Sequence, residues 1–311
     1  MKRLDNIRKY ISIGIGILLI LLLIIQFKHE NVISVLYETK LSFLLLSSIF
    51  WLGVNLVMAY RIQFLISELN KKEVPLKQML FYNLGGMLLG DVSPGRTGYF
   101  GISGLLKKNQ NVPLTTTFAI LSSCQIVDLL IKIVFSIFAV TYILSISFNN
   151  NLFLISIIGI SLMLFTSLIG IVLIGSKRLL YASILNYIPY WAIFKQHITN
   201  MRKDVKRILP HLFKIISLTL LGLLFCGFQW WLIGFSLGIK LSIFVYILIH
   251  PLATSLSFIP ITPAGLGIQE TGIVLILLVF GISPEIGLIF ALLTRLSSIL
   301  VDMMGFKVLV K

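Results

Sequence analysis

Charge is scarce in this chain. Only 12% of its 311 residues are Asp, Glu, Lys or Arg, about half the proportion usual in soluble domains. No hydrophilic stretch is long enough to fold as a separate globular domain, so the two soluble domains that the length alone would suggest are excluded. Acidic residues are scarcer still, 11 against 26 Lys and Arg. Cysteine is limited to Cys124 and Cys226, both inside apolar runs, which excludes a disulfide framework and a metal-ligand spacing. His-Glu-x-x-His, Gly-x-Ser-x-Gly and P-loop patterns are absent, and no pair of soluble carboxylates has a fold around it. An enzyme, a cofactor and a metal are therefore not expected.

What is present is apolar: 58% of the residues, with a mean hydropathy of +1.01, spread as many long runs. The expected fold is an all-α polytopic membrane protein with six transmembrane helices, at residues 11–25, 41–60, 112–146, 152–174, 212–237 and 286–306. No small-x-small cleavage site follows the first run, so it reads as a retained span rather than a signal peptide. Lys and Arg number four in residues 1–9, four in 61–77 and eight in 176–214, against two in 28–40 and none in 149–151 or 282–285. By the positive-inside rule both termini are cytoplasmic, and the protein resides in the cytoplasmic membrane. The net charge of +15 is then a record of orientation, and nucleic-acid binding is not expected because no basic module stands outside the membrane.

Two further apolar segments are broken, at residues 91–98 and 260–267. Because the flanking spans fix the sides, 78–107 returns to the cytoplasmic side and 241–282 to the outer side, either as pairs of short spans or as re-entrant helical hairpins. The wording at the breaks is similar, Ser93-Pro94-Gly95-Arg96-Thr97-Gly98 and Thr262-Pro263-Ala264-Gly265-Leu266-Gly267. The whole chain reads as one integral membrane domain. A first half at about 41–146 and a second at about 212–311 form a candidate inverted repeat, joined across a basic interfacial loop at 176–211. In secondary transporters such paired breaks point to a substrate site near the midplane.

Ionisable residues at membrane depth are costly and tend to mark function. Here they are Asp91, Arg96, Asp128, Lys132, Glu270, Arg295 and Asp302, a net −1, with His250 beside them. Arg96 lies in a Gly/Pro turn where freed backbone N–H groups and a guanidinium suit a phosphate; neutralising Asp91 is its plainer role. Asp128 and Lys132, spaced i, i+4, are expected to pair with each other. Glu270 either caps the helix it opens or holds Arg295.

The segments around both breaks resemble the flippase-like membrane family that includes the transmembrane region of lysylphosphatidylglycerol synthase, over about residues 51–311. Pro94-Gly95-Arg96-Thr97-Gly98 is similar to the family's first break, and the run from Pro260 to Glu270 to its second. Asp128 and Arg295 fall on the family's Asp and last-span Arg. The chain departs from the pattern at Tyr99, Ile102, Cys124, Gln125 and Gln269, where charges are usual. No aminoacyl-transfer segment accompanies the resemblance, so lipid synthesis is not expected.

The resemblance implies a transporter that moves a phosphate-bearing lipid, an anionic phospholipid or a polyprenyl phosphate, between leaflets. Arg96 and Arg295 would hold the phosphate, Asp128 and Glu270 would orient them, and Gly95, Gly98, Gly265 and Gly267 would let backbone approach the ligand. The alternative is a non-transporting subunit that presents lipid to a separate glycosyltransferase partner.

Overall fold

The computed structural model describes residues 39–146, most of 154–169, 191–258 and 261–310, and these contain helices and no strand. In chain order the helices are α1 (Leu41–Asn70), α2 (Leu76–Asp91), α3 (Ile102–Gln110), α4 (Leu114–Ile146), α5 (Trp191–Ile208), α6 (Leu212–Ser236), α7 (Ile243–Ser255), α8 (Ile268–Val279), α9 (Pro284–Asp302) and α10 (Phe306–Val310). Among the described residues, four helical runs are long and apolar enough to cross a bilayer: Leu41–Asn70, Leu114–Ile146, Thr199–Ser236 and Pro284–Val310. They coincide with four of the expected spans. The span at 11–25 lies outside the described residues, as do the basic segment 1–9 and residues 176–190 of the basic loop, and the span at 152–174 is described only in part. Large apolar side chains such as Leu45, Ile49, Val134, Phe138 and Leu224 are exposed on the outer faces of α1, α4 and α6, as befits helices whose surroundings are lipid tails.

The first of these helices outruns its expected end. Ile62, Leu65, Ile66 and Leu69 recur at helical spacing and are buried, so the helix continues past residue 60 until Lys71, with φ 52°, closes it in the left-handed region. That extension carries Arg61 into the bundle, where sequence reading had placed it in a cytoplasmic loop.

The α2–α3 unit is a hairpin. At 1.5 Å per residue its arms are about 24 and 14 Å long, both short of a hydrocarbon core of about 30 Å. Its two ends are tied together, since Gln110 Nε2 donates to Gln78 Oε1 at 2.8 Å and to the Tyr82 hydroxyl at 3.1 Å. Lys72 Nζ donates to the carbonyls of Gln110 and Asn111. Arg207 of α5 donates to the Leu69 carbonyl at 2.6 Å, so the basic segments around residues 69–78, 107–111 and 202–211 gather at one end of the bundle.

Two apolar clusters organise the packing. One joins the later part of α1 to α2, α3 and the start of α4. The other joins the end of α4 and of α6 to α7, α8 and α9. Ile239 and Leu241, before α7, and Phe280 and Ile282, after α8, all belong to this second cluster. The tips of the two broken segments touch. Pro94 and Pro263 form an isolated antiparallel bridge, and the Ala264 N–H donates to the Ser93 carbonyl at 3.2 Å.

Candidate functional site

Where the two tips meet, a cavity of about 220 Å³ opens among α1, α2, α4, α6, α7, α8 and α9. Asp91, Arg96, Asp128, Lys132, Glu270 and Arg295 all line it, together with His250 and Arg61, while Asp302 stands behind it. Most of the remaining wall is apolar, including Val54, Met58, Met87, Ile131, Leu223 and Phe258.

Asp128 is not held by Lys132. Arg61 grips it with two parallel bonds, Nη1 to Oδ1 at 2.5 Å and Nη2 to Oδ2 at 2.8 Å, and the Thr219 hydroxyl donates to Oδ1 at 2.9 Å. A planar guanidinium fork matches a carboxylate better than a single ammonium does, and it reaches across from a separate helix. The expected i, i+4 pair is therefore replaced by a three-helix junction of α1, α4 and α6. Lys132 is left with no ion pair among the described residues; its Nζ lies 5.6 Å from the centre of the Phe258 ring.

Glu270 does both things that its position allowed. Oε2 accepts from the Gly267 N–H at 2.6 Å, capping α8, and Oε1 accepts from Arg295 Nε. Arg295 also donates to the Ala264 carbonyl at 3.3 Å and to Gln269 Oε1 at 3.4 Å. Its Nε and Nη2 donors are thus engaged in holding the second tip in shape.

Arg96 differs. Its residue is left-handed, φ 56°, after Gly95 at φ 58°, a turn that aims the side chain into the cavity. Its side chain makes one long contact, Nη2 to Asp91 Oδ1 at 3.3 Å, and Nε is buried without a partner among the described residues. Lys132 and His250 are near enough to feel its charge. The cavity thus holds two cations, Arg96 and Lys132, with hydrogen-bonding capacity to spare.

The glycines also serve the packing of the tips themselves. Of the four, only Gly95 lines the cavity. A Cβ on Gly98 would run into the Leu89 backbone, and one on Gly265, at φ 68°, would lie 2.6 Å from Ser257 Cα. These positions let the tips approach the protein's own backbone, which is what tight reversals between packed helices demand. Gly267, at φ 83°, forms the start of α8.

Sequence reasoning missed Arg61, although the apolar spacing that follows it was a signal that the helix goes on. It also left Asp302 without its partners. Asp302 is fully buried, and its Oδ1 accepts from Trp51 Nε1 at 3.0 Å and Asn55 Nδ2 at 3.3 Å. With Arg61 included, the membrane-depth set passes from a net −1 to neutral. Of the positions that depart from the resembled pattern, Gln125 and Gln269 face the cavity and Tyr99 lines it, with its hydroxyl donating to Asn83 Oδ1 at 3.1 Å.

Comparison with known proteins matches residues 10–304 to the family described as the lysylphosphatidylglycerol synthase TM region. Two relatives are UPF0104 membrane proteins. That of Methanocaldococcus jannaschii is 23% identical over 98% of this chain and 95% of its own. That of Pyrococcus horikoshii is 23% identical over 94% of this chain and 93% of its own. No solved structure matches. With nearly its whole length accounted for by one family, this chain is a multi-pass membrane protein that belongs to the lysylphosphatidylglycerol synthase transmembrane-region family.

Proposed function

We propose that the protein moves a phosphate-bearing lipid between the leaflets of the cytoplasmic membrane, with the headgroup phosphate seated on Arg96 and Lys132. The observation that carries this reading is a pair of cations, one loosely paired and one without an ion pair among the described residues, in a cavity whose remaining wall is mostly apolar. Elsewhere in the cavity Arg61 and Arg295 are held closely by carboxylates, whereas Arg96 meets Asp91 only at 3.3 Å and Lys132 has no ion pair among the described residues, so an arriving anion finds its readiest cations at these two positions. A volume of about 220 Å³ falls below the roughly 300–1,000 Å³ of pockets for drug-sized ligands. It suits a compact headgroup whose tails stay in the bilayer. Unaided flipping is slow because a charged headgroup crosses hydrocarbon at high cost, and a polar seat partway across divides that barrier. Gln125 and Gln269, where relatives of the resembled pattern carry charge, favour a headgroup with fewer charges than theirs.

In this proposal the α2–α3 hairpin enters from the cytoplasmic face and the α7–α8 hairpin from the outer face, as an inverted pair, with both termini cytoplasmic. The contact between Pro94 and Pro263 supports it, since hairpins from opposite faces meet only at their tips. The test is reconstitution in liposomes carrying a fluorescent anionic phospholipid, read by chemical quenching of the outer leaflet. Wild type should equilibrate the lipid. Loss of a charge-assisted bond of about 1.5–3 kcal/mol should slow Arg96→Ala about ten- to a hundredfold. No flipping by wild type, or equal flipping by Arg96→Ala, overturns the proposal.

A further inference from the structure

Behind the cavity, Asp302 is fixed by one oxygen and unsatisfied at the other. Oδ1 takes the Trp51 and Asn55 bonds, and these are themselves held by a buried chain in which the Tyr99 hydroxyl donates to Asn83 Oδ1 and Asn83 Nδ2 donates to Asn55 Oδ1 at 2.8 Å. Every donor in that chain points towards Asp302. Its other oxygen, Oδ2, is buried without a partner, and so is Oδ2 of Asp91. The two side chains lie within hydrogen-bonding range of each other. The charges that act on the pair are Arg96 and, on Asp91, Arg295. Around them α1 offers only Trp51 and Asn55, α2 only Asn83, and the Glu270 of α8 is occupied by Arg295. Lys307 of α10 is exposed.

We propose that Asp91 and Asp302 form a proton-binding carboxyl pair that couples headgroup binding at Arg96 to proton uptake. Two carboxylates in contact at low dielectric do not both ionise, so the resting pair shares one proton and carries one negative charge. Arg96 balances that charge. When a phosphate draws the guanidinium away, the remaining negative charge is left buried without compensation, and a second proton from the aqueous side neutralises it. By linkage the effect is reciprocal: protonation of the pair frees Arg96 for the anion. The shared proton stands on its own geometry, while its coupling to transport rests on the phosphate reading above.

The experiment is calorimetric binding of short-chain phosphatidylglycerol to the purified full chain. This diester keeps one charge through the neutral range and is not a source of protons. In two buffers of different ionisation heat, wild type should take up close to one proton per lipid, and its affinity should fall about tenfold per pH unit as pH rises. The double variant Asp91→Asn with Asp302→Asn, which leaves no carboxyl to take up the second proton, should bind with no pH slope. Binding by wild type without proton uptake, or an unchanged slope in the double variant, overturns the coupling, and an inorganic phosphate arm shows whether the lipid body is needed. If phosphatidylglycerol does not bind, the phosphate reading fails, and infrared spectra at neutral pH judge the pair alone. A protonated-carboxyl band should be present in wild type and lost in both Asp91→Asn and Asp302→Asn. Its absence from wild type, or its persistence in Asp91→Asn, overturns the shared proton.

Discussion

Arg61 and Asp128 satisfy each other through two N–H bonds deep in the bundle, so removing one partner strands the other's charge. Arg61→Ala or Asp128→Ala should each cost about 3–5 kcal/mol, read as a fall in the thermal midpoint of the detergent-solubilised protein. The double change Arg61→Met with Asp128→Leu should recover most of that loss, because no buried charge remains. Lys132→Met should leave the midpoint nearly unchanged, since no carboxylate depends on it, and should weaken anionic-lipid binding about tenfold. That contrast separates a structural ion pair from a ligand-facing cation. The sequence made the list of membrane-depth charges nearly complete, but it could not distribute partners among them. Asp128 finds a cation 67 positions away on another helix, and local spacing had offered only Lys132. Partner choice of this kind is a tertiary fact, decided by which helices touch.

At the level of the helices, the breaks were legible because Pro and Gly interrupt apolar runs that are otherwise uniform, and both interruptions stand where the wording placed them. The end of α1 was misplaced because Arg61 looks like a terminus when charge is read without the apolar spacing that follows. The role of the glycines was equally out of reach of the sequence, since close approach to a ligand and close approach to a neighbouring turn ask for the same residue. The geometry at Gly98 gives a direct test. Gly98→Ala should displace the first tip from α2, with a stability cost of about 1–3 kcal/mol from overpacking and loss of lipid movement. Gly104→Ala on α3, where nothing lies within 4 Å of the added carbon, should be silent by the same two measurements.

The molecule as a whole is held at its centre by the contact between its two breaks. Antiparallel bridge partners lie roughly 4.5–5.5 Å apart at Cα, within the span of a disulfide. The pair Pro94→Cys with Pro263→Cys, in a background lacking the buried thiols Cys124 and Cys226, should therefore crosslink readily on mild oxidation, as a mobility shift on reducing and non-reducing gels would show. The same contact sets an order of manufacture. Its two sides are separated by about 170 residues of chain, which at roughly 5–20 residues per second takes about 10–30 s to synthesise. Through that interval the Ser93 carbonyl and the first hairpin have no second half to rest against. Polar backbone left facing lipid is costly, so this tip needs shelter from outside the second half until its counterpart emerges from the ribosome.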